Sequence, residues 1–437
     1  MRSCCVRVPP SKKGRAVPHP PVQIGRRFAR SNQIGATEVI SDEYPAPRTL
    51  LRVMHVVFGF HPGGMELGVL KLVNGLDPRR IRSAVCSTQG ARELAPMLAP
   101  QVAFFELQRR AGNDPRLVWD LCRLFRRERP HIVHTHAWGT LLEGLIAARL
   151  ARVPIVVHGE HGTLQLHARQ RVCQRYAWSR VDRLLSVSSR LAERMAHEVG
   201  FPLNRIQTIR NGVDLSRFAG NISHSEARRV LNLPAEGTVV GAVGRLVPVK
   251  DHLGLLETAA LLGRDGLRPV VVIAGDGPLR ADIENRAAAL GINHQVRLLG
   301  HRQDIDTVLA ALDVFVLPSR SEGLSNTILE AMAASVPVVA TRVGGADEMV
   351  EDDATGILVP AASPPALAAA LARLLQDPEL RLAMGRAGRA RVEREFDLLK
   401  TVRQYEGLYA DLALERGLSV PNRTALHPVP ESPSANE

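Results

Sequence analysis

Two glutamates, Glu322 and Glu330, lie on either side of Gly323 and a run of small polar residues in the segment SEGLSNTILEAMA. Ser325 is a suitable helix N-cap, which predicts a helix that begins just after it and contains Glu330. The residues expected on its buried face are Ile328, Leu329 and Met332. Backbone N–H groups at a helix N-terminus attract anions. Those available here belong to Leu324, Ser325, Asn326 and Thr327. The segment therefore predicts a phosphate-binding turn bordered by two carboxylates.

Two cations follow another predicted strand, in the segment VVGAVGRLVPVKD. Arg245 and Lys250 lie five residues apart, next to Gly244. Together they could clamp a phosphate from the side opposite the helix N-terminus, through charge-assisted hydrogen bonds. A solvated loop with ordinary surface charges explains this segment alone equally well. The turn at residues 275–278, GDGP, is weak support because turns need glycine in any case.

The first half of the chain offers two further polar strand ends. Gly63 and Gly64 permit close backbone approach before a helix, which is a second potential phosphate-binding turn. His158, Glu160 and His161 lie at another strand end, in the segment HGEHG. They are improbable core residues, although a zinc site needs more ligands than this segment supplies.

An apparent metal motif is set aside. Asp304 and Asp306 form a D-x-D pattern that binds metal ions in some enzymes, but they stand at the start of a helical pattern. Aspartates are favoured there by the helix dipole. We expect no metal site.

Continuous apolar runs alternate with helical patterns along the chain, as expected for buried parallel strands. In the first half the predicted strands are residues 50–57, 82–87, 102–107, 131–136, 154–159, 183–187 and 206–210. The helical patterns there include residues 65–75, 115–128, 139–151 and 189–199. In the second half the predicted strands are residues 238–246, 269–277, 296–300, 314–319, 336–341 and 356–360. This alternation predicts an α/β fold of two parallel sheets, with a ligand crevice at the carboxyl ends of the strands.

A chain of 437 residues exceeds the size of one growing core, so two domains are expected. We predict a basic, disordered extension, two α/β domains, a C-terminal helix that packs back across the domains, and a disordered tail. Their bounds are residues 1–48, 49–212, 213–395, 396–416 and 417–437. The turn-forming pair Asn211-Gly212 marks the linker between the domains. Met54 or an upstream codon is an alternative start.

Composition argues for a cytoplasmic protein without membrane-spanning helices. The chain is 45% hydrophobic and has no apolar run near the roughly 20 residues that such a helix needs. The five cysteines are scattered without C-x-x-C spacing, which favours a reducing compartment. They are Cys4, Cys5, Cys86, Cys122 and Cys173. The basic N-terminus lacks a following apolar region and is a poor signal peptide.

Charge is distributed unevenly. Residues 49–212 carry 24 Lys/Arg and 12 Asp/Glu, whereas residues 213–437 carry 23 and 29. A basic first half suggests an anionic partner. Nucleic acid is improbable, because aromatic residues make up 4% of the chain and no nucleic-acid module is recognisable. Arginine clusters at residues 115–130 and 167–180 are compatible with contact to an anionic membrane surface. Helices packed on the sheet with solvated arginines explain them at least as well.

The combination of PGGxE, Arg245 with Lys250, GDGP and the pair Glu322 and Glu330 resembles glycosyltransferase family 4, whose members are retaining enzymes with the GT-B fold. The resemblance covers about residues 50–415. Its most specific part is LPSRSEGLSNTILEAMAASVPVVATRVGG. HVVFGFHPGGMELGVLKLVNGL and the HGEHG segment look most like the sugar transferases of bacterial exopolysaccharide and exosortase systems.

The resemblance implies two Rossmann-like domains, an acceptor-side one first and a nucleotide-sugar-binding one second. Arg245 and Lys250 would bind the donor diphosphate and stabilise its departure. Glu330 would hold the donor ribose, Glu322 the donor sugar's hydroxyls, and His161 the sugar near its reacting carbon, with His158 as second choice. Gly63 and Gly64 would make room for the diphosphate and acceptor. The resemblance implies no metal and no cofactor besides the donor, and an acceptor that is a glycan or a lipid-linked glycan.

Two other functional classes stay open at this point. A nucleotide-sugar epimerase can share the GT-B architecture and needs no acceptor, although the pair of glutamates with Arg245 and Lys250 argues against it. A non-catalytic nucleotide-sugar-binding subunit has no support, since every matched polar position is retained. The donor's base and sugar, the acceptor and the oligomeric state do not follow from the sequence.

Overall fold

The computed structural model describes residues 50–110, 114–162, 164, 167–220 and 222–419. The predicted N-terminal extension and nearly all of the predicted tail lie outside these residues. Within them, no helix combines the length and the apolar character that crossing a bilayer requires.

The first sheet contains seven parallel strands in the order β3-β2-β1-β4-β5-β6-β7. They are β1 (Leu51–Val57), β2 (Ile81–Ser87), β3 (Ala103–Glu106), β4 (Ile132–His136), β5 (Ile155–Glu160), β6 (Arg183–Ser186) and β7 (Ile206–Thr208). The helices of this half are α1 (Gly64–Gly75), α2 (Pro115–Glu128), α3 (Trp138–Leu150), α4 (Ala168–Arg180) and α5 (Ser189–Val199). The strand order reverses between β1 and β4, which is where parallel sheets of this kind open a ligand crevice.

The second sheet contains six parallel strands in the order β10-β9-β8-β11-β12-β13. They are β8 (Val239–Val243), β9 (Val270–Ala274), β10 (Val296–Gly300), β11 (Val314–Leu317), β12 (Val338–Thr341) and β13 (Gly356–Val359). Its helices are α6 (His224–Val230), α7 (His252–Arg264), α8 (Arg280–Ala289), α9 (Ile305–Ala310), α10 (Asn326–Ala333), α11 (Ala346–Met349), α12 (Pro364–Gln376) and α13 (Pro378–Glu395). The order reverses between β8 and β11, so both halves have the same switch-point geometry.

The predicted α/β architecture is confirmed, and each predicted strand is present. The largest differences are at β8 and β9, which end before the glycine turns that the predicted strands include. The strands were predictable because β4, β5, β8 and β11 are buried at every position, which favours apolar runs in the sequence. The predicted division at residue 212 stays a prediction.

The last helix, α14 (Leu398–Glu415), returns to the first sheet. Tyr405, Leu408, Tyr409 and Leu412 pack against apolar residues of β1, β4 and β5. Where the chain comes back, Val213 accepts a backbone hydrogen bond from Leu398 at 3.0 Å. A Cβ on Gly212 would lie 2.5 Å from Leu398 Cα, so only glycine fits this crossing. The helix therefore joins the two halves behind the crevice.

Candidate active site

The two halves touch at the carboxyl ends of their sheets. Lys71 of α1 donates to Glu330 Oε1 of α10 at 2.9 Å. Asn326 Nδ2 donates to the carbonyl of Gly64 at 2.9 Å. A Cβ on Gly323 would lie 2.8 Å from the carbonyl oxygen of His161. Residues predicted separately from the two halves therefore meet in one cleft.

The turn before α10 has the predicted geometry with one difference. Ser325 occupies the N-cap position, but its hydroxyl makes no capping bond to the backbone and instead contacts Thr327 Oγ1 at 3.0 Å. The expected buried face is confirmed, because Ile328, Leu329 and Met332 are fully buried. The N–H groups of the first turn are thus not capped by the side chain that normally takes one of them.

The carboxylate of Glu322 is held by two donors. Lys250 Nζ lies 2.5 Å and Ser319 Oγ 2.6 Å from Glu322 Oε1. Lys250 ends a short 3₁₀ turn after β8, and its methylene carbons pass 3.7 Å from the position of a Cβ on Gly244. Lys250 and Glu322 therefore form one unit, in which the lysine can serve both the carboxylate and a bound anion.

Glu330 is not an ordinary surface carboxylate of a helix. It is buried, and Lys71 is its ion-pair partner from the other half. Sequence reasoning missed Lys71. Its only signal was a cation inside the apolar run LGVLKLV, where a charge must find a partner.

Arg245 is exposed at the end of β8, where its positive charge acts on Glu66 in the first turn of α1. Burial raises the pKa of Glu66, and the charges of His61 and Arg245 oppose that rise. The backbone under Arg245 is fixed by glycine packing. Gly275 has φ +151°, and a Cβ there would lie 1.9 Å from the carbonyl oxygen of Gly244.

The two predicted glycines of the first half differ. A Cβ on Gly63 would lie 2.3 Å from Glu66 Oε2, whereas a Cβ on Gly64 would meet no atom within 4 Å. Gly64 therefore borders open space at the N-terminus of α1. The missing Cβ of Gly63 leaves the space that the carboxylate of Glu66 occupies.

His161 and His158 have different surroundings. His161 is partly buried next to Gly323, and its Nε2 lies 3.2 Å from His136 Nδ1. Desolvation lowers the pKa of His161 to about 4. His158 is fully buried, as is Glu160, so the expectation that these two lie outside the core is wrong; His158 Nδ1 contacts Thr135 Oγ1 at 2.9 Å. Of the two histidines, His161 is the one that lies beside the loop of Glu322.

A second contact between the halves is made by a carboxylate that the sequence analysis did not identify. Glu348 accepts from the backbone N–H groups of Ser189 and Arg190, at 3.1 and 2.7 Å, and from Arg210 Nε at 3.2 Å. These N–H groups begin α5, so a carboxylate is well suited to that position.

Asp304 and Asp306 are ion-paired to Arg302 and Arg217, at 2.5 and 3.7 Å. Asp306 lines a cavity of about 510 Å³ together with Leu312 and Pro337, which precede β11 and β12. That cavity lies at the amino ends of the strands, opposite the cleft.

Comparison with known proteins agrees with this geometry. Residues 62–217 match the model of Glycosyltransferase Family 4, and residues 223–391 match that of Glycosyl transferases group 1. A UDP-Gal:alpha-D-GlcNAc-diphosphoundecaprenol alpha-1,3-galactosyltransferase of Escherichia coli is 33% identical over 70% of this chain and 81% of its own. A D-inositol 3-phosphate glycosyltransferase of Corynebacterium efficiens is 31% identical over 64% of this chain and 71% of its own. The EpsF protein of Bacillus subtilis is 28% identical over 66% of this chain and 78% of its own.

Solved structures show the same fold. HepE of Anabaena, in complex with UDP and glucose, has a TM-score of 0.72 and 22% identity over 82% of this chain and 99% of its own. A glycosyltransferase of Rickettsia africae has a TM-score of 0.73 and 19% identity over 83% and 98%. The fold is therefore GT-B. The sequence matches and the fold together establish that the chain belongs to glycosyltransferase family 4.

Proposed function

We propose that the protein transfers a sugar from a nucleotide-diphosphate donor to a lipid-linked or glycan acceptor, with retention of configuration and without a metal ion. The observation that carries this proposal is the convergence of Lys250 with Glu322 and of Lys71 with Glu330 at the N-terminus of α10. Two cation and carboxylate pairs, next to N–H groups that the side chain of Ser325 does not cap, suit a ligand that combines a diphosphate with several hydroxyls.

Each polar group of the site has a specific role in this reaction. Arg245, Lys250 and the N–H groups before α10 bind the diphosphate and supply the positive charge that a metal supplies in other transferases. Glu330 accepts hydrogen bonds from the ribose, and Glu322 from the sugar. Since a lysine donates to each glutamate, neither is arranged as the general acid that a glycosidase pair requires.

The bond changes balance without an added base. The acceptor oxygen bonds to the anomeric carbon on the face from which the diphosphate leaves, and the bond from that carbon to the phosphate oxygen breaks. The leaving phosphate oxygen takes the proton of the acceptor hydroxyl. The enzyme's part is to hold both reactants and to stabilise the developing negative charge.

The proposed lipid-linked acceptor is supported by the relatives and by one surface of the first half. The Escherichia coli relative is named for a diphosphoundecaprenol substrate. The neighbouring helices α2, α3 and α4 expose large apolar side chains among exposed arginines. The apolar residues are Trp119, Ile146, Leu150, Val172 and Tyr176. This combination is typical of surfaces that lie on an anionic bilayer. We place the protein in the cytoplasm, at the inner face of the membrane, in exopolysaccharide synthesis.

The first test is binding and slow hydrolysis of a panel of UDP-, GDP- and ADP-sugars by the purified protein with metals chelated. One donor is expected to be bound and hydrolysed, and Glu330→Gln is expected to weaken its binding. A product sugar of inverted configuration would overturn the retaining mechanism. Loss of activity on chelation would overturn metal independence. Isomerisation of the donor sugar without transfer would favour an epimerase.

The membrane surface has a separate test, flotation with vesicles that contain anionic phospholipid. The variant Trp119→Ser/Tyr176→Ser is expected to bind less than the parent. The matched control Leu382→Ser removes an exposed leucine of the second half and is expected to bind like the parent. Binding that is indifferent to anionic lipid and to salt would exclude this surface as the membrane contact.

A further inference from the structure

A column of histidines lies inside the first sheet, behind His161. His55 pairs in register with His134 across β1 and β4, and His136 is two residues further along the same face. All three are buried. Gly159 of β5 pairs with His136 and leaves room for the rings. A Cβ at Gly159 would lie 3.1 Å from His134 Nε2 and 3.4 Å from His161 Nε2. The absence of this one side chain lets the column reach the cleft.

Hydrogen bonds join three of these rings in series. His55 Nδ1 lies 3.1 Å from His136 Nε2, and His136 Nδ1 lies 3.2 Å from His161 Nε2. Helix α14 closes the column from outside, because Tyr409 Oη lies 2.8 Å from His134 Nδ1. The series therefore runs from the core of the sheet to the loop of the cleft.

A neutral imidazole has one donor nitrogen and one acceptor nitrogen. Burial lowers the pKa values of His55 and His136, the former to about 3, so both rings are neutral at physiological pH. If His136 carries its proton on Nδ1, it donates to His161 Nε2, and the proton of His161 must then be on Nδ1. If the proton of His136 is on Nε2, His161 must carry its own on Nε2. The tautomers of the rings are thus coupled.

We propose that His136 is a positioning residue that fixes the ring orientation of His161 and couples the tautomer of His161 to its own. Because His136 occupies Nε2 of His161, Nδ1 is the ring nitrogen of His161 that stays available to a ligand. His55 supports His136 from behind. The inference rests on the proposed function, in which His161 meets the donor sugar, and it adds a residue on which that contact depends.

The same rings raise the question of a metal. Among the residues that the structure describes, His55, His134 and His136 can each offer a nitrogen within 4.8 Å of the others. Ligand nitrogens of a tetrahedral zinc ion, with bonds of about 2.0 to 2.1 Å, lie about 3.4 Å apart. The rings would have to close in and give up the bond between His55 and His136. A metal is therefore the competing explanation for the three buried rings.

Two variants of His136 test the contacts of its two ring nitrogens separately. The amide that His136→Asn introduces occupies roughly the position of Nδ1 and can keep the contact with His161. The longer amide that His136→Gln introduces occupies roughly the position of Nε2 and can keep the contact with His55 only. Both substitutions retain a polar group of similar size. A merely structural role would make the two variants alike.

Activity should distinguish the two variants. For His136→Gln we expect kcat for donor turnover to fall on the order of 10-fold to 100-fold, because a displaced contact group costs rate. KM for the donor should change little. His136→Asn should keep the larger part of kcat. Equal losses in both variants, or no loss in either, would overturn the positioning role.

A second measurement needs neither variant nor turnover. In protein labelled with ¹⁵N-histidine, we expect matching tautomers for His136 and His161, both protonated on Nδ1 or both on Nε2, and a scalar coupling across the hydrogen bond between His161 Nε2 and His136 Nδ1. Tautomers that do not match, no coupling, or a stoichiometric metal in the purified protein would overturn the proposal. If the donor panel shows no turnover while the coupling is present, the proposed function fails and the link between the two rings stands.

Discussion

The two halves present their polar residues to the cleft in different ways. In the second half Arg245, Lys250 and Glu322 lie on loops that follow β8 and β11, and Lys250 pairs locally with Glu322. In the first half His161 is supported by rings inside the sheet, and Lys71 reaches out from a helix to Glu330. The second half thus carries its charge in loops, whereas the first half supports its contacts from its core.

This difference has a thermodynamic consequence. The pair of Lys250 and Glu322 is partly buried, with side chains 20% and 12% exposed, so removing one partner costs stability. Buried neutral histidines couple folding directly to pH. Substitutions in the loops of the second half should therefore lower donor turnover and some stability. Changes to the core of the first half should in addition alter the dependence of stability on pH.

The largest effect is expected for Lys250→Ala. The substitution removes a cation from the diphosphate site and leaves Glu322 without its main partner, so kcat/KM for the donor should fall on the order of 10²-fold to 10³-fold. The melting temperature should fall as well, because Glu322 is only 12% exposed and loses the cation that holds it. Steady-state kinetics and thermal unfolding measure the two quantities. Lys400→Ala is the matched control, because Lys400 is exposed on α14 and contacts the last carbonyls of α13. Equal kinetics in both variants would contradict the assignment of the diphosphate site.

The next effect is a loss of stability in acid that starts in the first half. The pKa values of His55 and His161 are lowered to about 3 and about 4, and those of His134 and His136 are also lowered, by desolvation. The unfolded chain therefore binds more protons below pH 6.5, and the free energy of unfolding falls from there toward pH 4. Each such histidine contributes about 1.4 kcal/mol per pH unit.

Hydrogen exchange followed by mass spectrometry at pH 7.5 and pH 5 tests this expectation. Amides of β1 and β4 should lose protection at pH 5 before those of β8 and β11. Uniform loss of protection in both sheets would remove the proposed contrast between the halves.

The same contrast explains what the sequence could predict. Strands buried at every position, such as β4 and β8, give long apolar runs, and the turn before α10 has its own residue pattern. Glu322 and Lys250 were recognisable because their loops interrupt the apolar runs of the strands. The role of His136 was not, because HTH inside an apolar run looks like ordinary strand residues. The partner of His134 is Tyr409, which lies 275 residues later. Lys71 was missed for the same reason, since its partner lies in the other half.

The ion pair between Lys71 and Glu330 offers a smaller and more selective effect. Removing one partner leaves a buried charge unpaired, whereas replacing both by apolar groups can be nearly neutral. Lys71→Met alone should therefore lower the free energy of unfolding by about 1 to 3 kcal/mol. The double variant Lys71→Met/Glu330→Met should recover most of that loss. Denaturant unfolding measures both variants. Additive losses would show that the two side chains do not form a pair in solution.

Donor binding should not follow this recovery. If Glu330 holds the ribose, the double variant stays as weak in donor binding as Glu330→Met alone, while its stability is restored. Isothermal titration with the donor identified in the panel measures this. Recovery of binding together with stability would mean that Glu330 serves only the contact between the halves.

The smallest effect is expected at the two glycines before α1. A Cβ at Gly64 would meet no atom within 4 Å, so Gly64→Ala should leave stability within about 0.5 kcal/mol of the parent. If the diphosphate approaches the backbone here, KM for the donor should rise several-fold. In Gly63→Ala the new Cβ would displace the carboxylate of Glu66, so stability should fall as well. Kinetics and thermal unfolding of the two variants separate these outcomes. An unchanged KM in Gly64→Ala would remove α1 from the diphosphate site and leave that site to the second half alone.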